Sequence, residues 1–418
     1  MQSKYDIIYK SFSVLFDIFT KQHGMKPRIK GDGMKAIRWL KSIDISKIPY
    51  IEQIRSLSEF FSSVIIILMH IYSCYMLTQY TEESAVTLLN VQLVCTVLLF
   101  VLQIPYIRRI WLWILLPINL ILVFRILSHA PMQDFAKLYF VLILIVMLFR
   151  QIVIPRIVYQ TVHLIVALFL TYILGIAKAI PHLGTYYQIF NHAVNENTIG
   201  ILGLACMMHW MCFFEMLQVK TGYRLLGQMA GMILGLYYIL HSGCRSALVA
   251  VVVFLLLYAV VWKPLSPRVY QVFSLLILAA MALFPIMYIR LSQQIDNIMI
   301  FGSGLLSGRE SLWQPALEQI RDNPLWGAGM SEASSMHHIL VELALRFGII
   351  AAITFVMLCG QKEKRAAAYR SSRIAQNSFL ACMFVAFFES FFTERYLSFF
   401  FLSFLLSAVE KKTVGDGS

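Results

Sequence analysis

Four side chains stand out because polar chemistry is scarce around them. Arg245 lies in HSGCRSAL, Arg309 follows Gly308 in SGRESLW, and His337 and His338 open HHILVELALRFG. An arginine presents a planar fork that matches phosphate oxygens, and a histidine can take up a proton near neutral pH. Two arginines and a histidine therefore suit an anionic, phosphate-bearing ligand whose reaction needs a base. Each residue also has a plainer reading: Arg245 can snorkel at an interface, and Arg309 can be a solvated loop charge. The seven cysteines show no Cys-x-x-Cys spacing, and no Asp-x-Asp pair stands near a loop, so neither a metal nor any other cofactor is expected.

Helical phase sorts these candidates. His338, Glu342 and Arg346 recur at i, i+4 and i+8 and line one helix face. Glu342 and Arg346 are expected to neutralise each other inside the protein. His337 is rotated about 100° from that stripe, so only one of the two histidines can join it. Asn195, Glu196 and Asn197 precede an apolar run and fit a helix N-terminus. His163, His209 and Glu215 are expected to be satisfied within the bundle. Glu389, Glu394 and Arg395 surround a late turn, where they either rim the site or are solvated.

The elements that position these residues follow from composition. Of 418 residues, 59% are hydrophobic and 14% charged, against roughly 45–50% and 25% in soluble domains. The apolar residues fall in runs of roughly 17–25, long enough to cross a ~30 Å hydrocarbon core as helices. The expected fold is all-α: a polytopic integral membrane helical bundle. Its spans are read at roughly 58–79, 85–104, 110–128, 134–149, 159–179, 198–217, 225–241, 246–262, 269–289, 338–359, 375–391 and 396–409, about twelve in all. With the N-terminus inside, the inner loops carry Arg108, Arg109, Arg150, Arg156, Lys220, Arg224, Lys263, Arg268 and the basic 362–373 segment, whereas the outer loops carry Glu82, Glu83, Asp134 and Glu196. This is the positive-inside pattern. It accounts for the formal charge of +13 without nucleic acid, which is excluded as a partner. Residues 1–56 are expected to form a cytoplasmic N-terminal extension, either an interfacial helix with Ile7, Ile8, Phe12, Leu15, Phe16 and Phe19 along one face or a disordered tail. Residues 57–410 form the transmembrane domain and 411–418 a cytoplasmic tail.

Two outer loops exceed what a connection needs: about 180–197, and about 290–337 before the tenth helix. Long loops carry function more often than short ones. In the second, Leu312, Trp313, Leu317 and Ile320 recur at helical spacing. Pro324 should end that helix, and Gly327 and Gly329 should allow a tight turn. No internal repeat is evident. Arg245 and the long loop fall on the same outer face.

These residues resemble the O-antigen ligase and O-antigen polymerase superfamily. NENTIG at 195–200 resembles the family's Asn-x-Asn-x-x-Gly-like entry to a span. HSGCRSAL resembles its Ser-Arg-containing turn. SGRESLW, NPLWGAG and HHILVELALRFG resemble its Gly-Arg, Pro-Leu-x-Gly-x-Gly and His-Asn-x9-Gly series. The likeness covers Asn195 to about Ile350; the first five spans match only in hydropathy. By that alignment Arg245 and Arg309 are the essential arginines, His337 the catalytic-type histidine and Gly348 the motif glycine. His338 and Asn197 join the two arginines as substrate-binding residues.

The resemblance implies a GT-C-like, metal-independent glycosyltransferase. It would sit in the bacterial inner membrane with its active face periplasmic, acting on undecaprenyl-diphosphate-linked oligosaccharide. A chain-length regulator is a candidate protein partner. His338 stands where ligases usually have Asn, Ser or Gln, Ala351 where they have Gly, Thr or Tyr, and the outer loop is shorter. These departures lean towards a polymerase. Transfer of polymer to lipid A-core is the first alternative. A non-enzymatic flippase of the lipid-linked repeat is the second, and would favour internal repeats.

Overall fold

The computed structural model describes residues 51–79, 82–104, 107, 109–127, 133–180, 186–190, 192–261, 265–295, 299–300, 303–304, 309–328, 336–360, 369–370, 372–386, 388–389 and 398–409. The expectations for the first fifty residues, Gly308, Gly329, Glu394, Arg395 and the 411–418 tail lie outside them. The described residues from Ser58 onwards form one compact unit.

The described residues are overwhelmingly helical. In chain order the helices are α1 (Ile51–Gln79), α2 (Glu82–Gln103), α3 (Arg109–Leu127), α4 (Gln133–Gln151), α5 (Arg156–Ile176), α6 (Glu196–Glu215), α7 (Thr221–Ser242), α8 (Arg245–Val260), α9 (Pro267–Ile295), α10 (Glu310–Asp322), α11 (Ile339–Phe347), α12 (Ile349–Cys359), α13 (Arg373–Val385) and α14 (Ser398–Leu402). Among the described residues six stretches are long and apolar enough to cross a membrane: Ser56–Gln79, Val86–Gln103, Arg156–Ile176, Glu196–Glu215, Thr221–Ser242 and Arg268–Arg290. Their outer faces stay apolar. On α7, Tyr223, Leu226, Ile233, Tyr237 and Leu240 are all exposed, a stripe too large to face water. This is an all-α, multi-pass membrane protein.

Inside the bundle, small residues set the spacing. Gly227, Gly231 and Gly235 recur every fourth residue on α7. A Cβ added there would lie 2.4 Å from Phe214 Cδ1, 2.5 Å from Trp210 Cβ and 2.4 Å from Met207 Cβ on α6, in that order. This is the small-residue packing that draws membrane helices together, and it fixes where α7 ends relative to the start of α6. His163 Nδ1 and His209 Nδ1 lie 2.8 Å apart, and His209 Nε2 faces the Phe400 carbonyl at 2.9 Å. Glu215 accepts from the Ser372 hydroxyl and the Ile374 N–H. The expected internal partners of these three residues are therefore present.

Three features depart from the pattern read in the sequence. The run 338–359 is two helices, not one, broken at Gly348, whose φ is 84°. The final run shrinks to α14 and a 3-10 turn, Ser403–Leu405. It then pairs as a strand, Ser407–Val409, in parallel with Val153–Pro155. The first long loop contains a hairpin of Tyr186–Ile189 and His192–Asn195, which delivers the chain directly into α6. Hydropathy is blind to such short pieces, because an apolar strand and an apolar helix fragment read alike.

Candidate functional site

The site forms where α10, α11 and the end of α13 meet. Arg309 is the residue before α10. Its guanidinium donates to Glu389 Oε1 at 2.8 Å, and His337 Nδ1 lies 3.3 Å from Glu389 Oε2. One carboxylate thus draws together two residues 28 positions apart in sequence. Sequence reasoning left Glu389 as an undecided rim residue. The available signal was the cost of an acidic group beside apolar helices, which demands a partner.

Each of the three is held by an aromatic neighbour. Trp313, one turn after Arg309, is fully buried, and its indole N–H donates to the Met336 carbonyl at 2.8 Å. Met336 directly precedes His337. The Trp313 ring meets Phe284 and Tyr288 edge-on, each at 5.9 Å, and His338 at 5.7 Å. Phe388, beside Glu389, packs on Phe284 at 5.5 Å. Such ring pairs contribute about 0.5–1.5 kcal/mol each beyond burial, so one aromatic cluster sets the positions of all three polar groups. His337 itself has φ 51°. A left-handed, non-glycine residue at a polar cluster is the kind of strain that active sites retain.

His338 lies differently. It is fully buried, its Nε2 meets the Met281 carbonyl at 3.0 Å, and its Nδ1 accepts the Val341 N–H at 3.3 Å as the N-cap of α11. Both of its ring nitrogens lie within hydrogen-bond reach of backbone groups. Glu342 and Arg346 form the expected pair, at 3.4 Å and almost entirely buried, with Arg346 stacked 3.9 Å over Phe135.

The helix break beside the site is specific. A Cβ on Gly348 would lie 2.1 Å from the Leu325 carbonyl oxygen, and one on Gly327 (φ 71°) would lie 2.6 Å from Arg346 C. Ala328 N–H donates to Leu345 O at 2.7 Å and Ile349 N–H to Pro324 O at 2.8 Å. Only glycines permit this backbone-on-backbone contact. It clamps the Pro324–Ala328 turn to the joint between α11 and α12.

Arg245 stands on another turn, between α7 and α8. Asn195 caps α6 by accepting the Thr198 N–H at 2.9 Å, and Asn197 sits half-buried in the first turn. A Cβ on Gly200 would lie 2.1 Å from Cys244 Cβ, so the α6 entry is pressed against the α7–α8 turn. Arg245, half-buried, opens α8 there. The Cys244 thiol is pushed up by burial, with the Glu389 and Glu196 carboxylates adding to the shift. Among the described residues, no group of three or more His, Cys, Asp or Glu is arranged to hold a metal ion.

Fold and site together define an all-α membrane protein with a cluster of Arg309, Glu389 and His337 between its helices. Residues 230–356 match the family model described as O-antigen ligase. The match encloses Arg245, Arg309, His337 and Gly348 and stops short of Glu389. No curated protein and no solved structure matches the chain.

Proposed function

We propose that the protein polymerises undecaprenyl-diphosphate-linked oligosaccharide repeats at the periplasmic face of the bacterial inner membrane. About twelve crossings with both termini inside would place the site on that face. The observation that carries the reading is that Arg309 and His337, both within the stretch that matches the O-antigen ligase model, meet on one carboxylate.

A carboxylate only accepts hydrogen bonds, so His337 Nδ1 carries its hydrogen towards Glu389 and Nε2 is the basic nitrogen. His337 takes the proton of an acceptor sugar hydroxyl. The hydroxyl oxygen bonds to the anomeric carbon of the donor as the bond from that carbon to the diphosphate oxygen breaks. The diphosphate leaves with the electron pair, and Arg245 and Arg309 stabilise its growing charge. Asn197, beside the Arg245 turn, contacts the same headgroup. The reaction needs no metal ion.

The family description favours a second reading, transfer of finished polymer onto lipid A-core, which shares the donor chemistry. A lipopolysaccharide gel of a deletion strain separates the two. Core bearing a single repeat supports polymerisation; bare core with long polymer left on the lipid carrier supports ligation. Unaltered polymer and core would exclude both.

A further inference from the structure

Glu389 lies outside the proposed bond exchange, yet it touches both side chains that carry it. Arg309 holds its Oε1 at 2.8 Å and His337 faces its Oε2 at 3.3 Å. The Glu389 side chain is 8% exposed and that of Arg309 14%, while His337 is 38% exposed. In so dry a setting an ion pair is strong. A guanidinium binds phosphate oxygens through the same fork it offers a carboxylate. The N–H groups of Arg309 that now meet Glu389 cannot also receive a diphosphate.

We infer that Glu389 is an exchangeable counter-charge: the donor diphosphate displaces it from Arg309 and leaves its charge to His337. Before the exchange, the carboxylate aligns both residues and neutralises a half-buried arginine. After it, the full negative charge faces His337 Nδ1, holds the tautomer with Nε2 as base and stabilises the imidazolium as the proton arrives. Donor binding thereby readies the base, and an acceptor hydroxyl alone does not. Glu389 is a positioning residue in this scheme. The inference rests on the diphosphate-donor reading above.

The exchange makes an unusual demand. Removing a residue from the site should tighten binding, because the ligand no longer competes for Arg309. Undecaprenyl diphosphate is the probe, titrated by calorimetry into the full-length protein in detergent, with polymer assayed in complemented deletion cells at matched protein abundance. Glu389→Gln should bind the lipid about three- to tenfold more tightly and make at least about tenfold less polymer. Glu389→Asp keeps the charge on a shorter arm. It should show a smaller gain in affinity and retain part of the polymer, and it carries the test alone if the Gln variant does not accumulate. In an Arg309→Ala background, Glu389→Gln should give no gain. Equal or weaker binding by Glu389→Gln, or a gain that persists without Arg309, overturns the exchange. If Arg309→Ala weakens binding while Glu389→Gln leaves it unchanged, only the exchange fails. If Arg309→Ala binds as tightly as the wild type, the donor site itself is wrong.

Discussion

The chain builds two arginine–glutamate pairs close to one another in the fold, and they behave as opposites. Glu342 and Arg346 sit one turn apart on α11, almost fully buried, with the guanidinium closed off by the Phe135 ring. Arg309 and Glu389 come from segments 80 residues apart, retain some exposure and share their carboxylate with the more exposed His337. The first pair is sealed among buried groups, Tyr139 included, so its charges act within the protein. The second opens onto an imidazole, so its charges can be redistributed to a ligand. The adjacent histidines repeat the contrast. His338 spends both nitrogens on the protein, whereas His337 is turned out by a left-handed backbone. Residue type does not separate machinery from scaffold here; burial and the origin of the partner do.

This contrast can be broken by substitution. The largest effect is expected at the open cluster. Arg309→Ala and His337→Ala should each lower polymer formation by at least about a hundredfold, read on a lipopolysaccharide gel, with protein abundance unchanged. The sealed pair should respond in stability instead. Glu342→Ala removes the carboxylate that neutralises buried Arg346 and should cost about 3–5 kcal/mol, seen as lower thermal stability in detergent. Joint replacement by Glu342→Leu and Arg346→Met should recover most of it. Polymer per folded molecule should hold in both cases; its loss at normal stability would move this pair into the site.

Smaller effects sharpen the division between the histidines and between the asparagines. His338→Ala removes a cap and strands the Met281 carbonyl, a cost of about 2 kcal/mol with polymer per molecule retained. A variant that folds normally but makes no polymer would return His338 to the ligand. Asn195→Ala should cost about 1 kcal/mol by freeing the Thr198 N–H, measured by thermal unfolding, with transfer little affected.

Much of the framework was legible before any coordinates. Helices α1 to α9 fall close to the apolar runs read from the sequence, because a run of twenty apolar residues has few other uses. The helical phase of 338–346 correctly paired Glu342 with Arg346, since that contact is local. What escaped the sequence was non-local or small. Glu389 reaches His337 across 52 residues, and no periodicity encodes that distance. The break at Gly348 depends on a backbone from another turn pressing against it. The Gly227–Gly231–Gly235 stripe also escaped, because its meaning depends on α6 lying opposite.

The account turns on whether His337 and the two arginines perform transfer from a lipid diphosphate without help from another protein. Purified protein in detergent, given the lipid-linked repeat as both donor and acceptor, measures this most directly. The account predicts that the wild-type protein lengthens the repeat, while His337→Ala and the Arg245→Ala, Arg309→Ala double variant leave it as single units. Normal lengthening by those variants would contradict it.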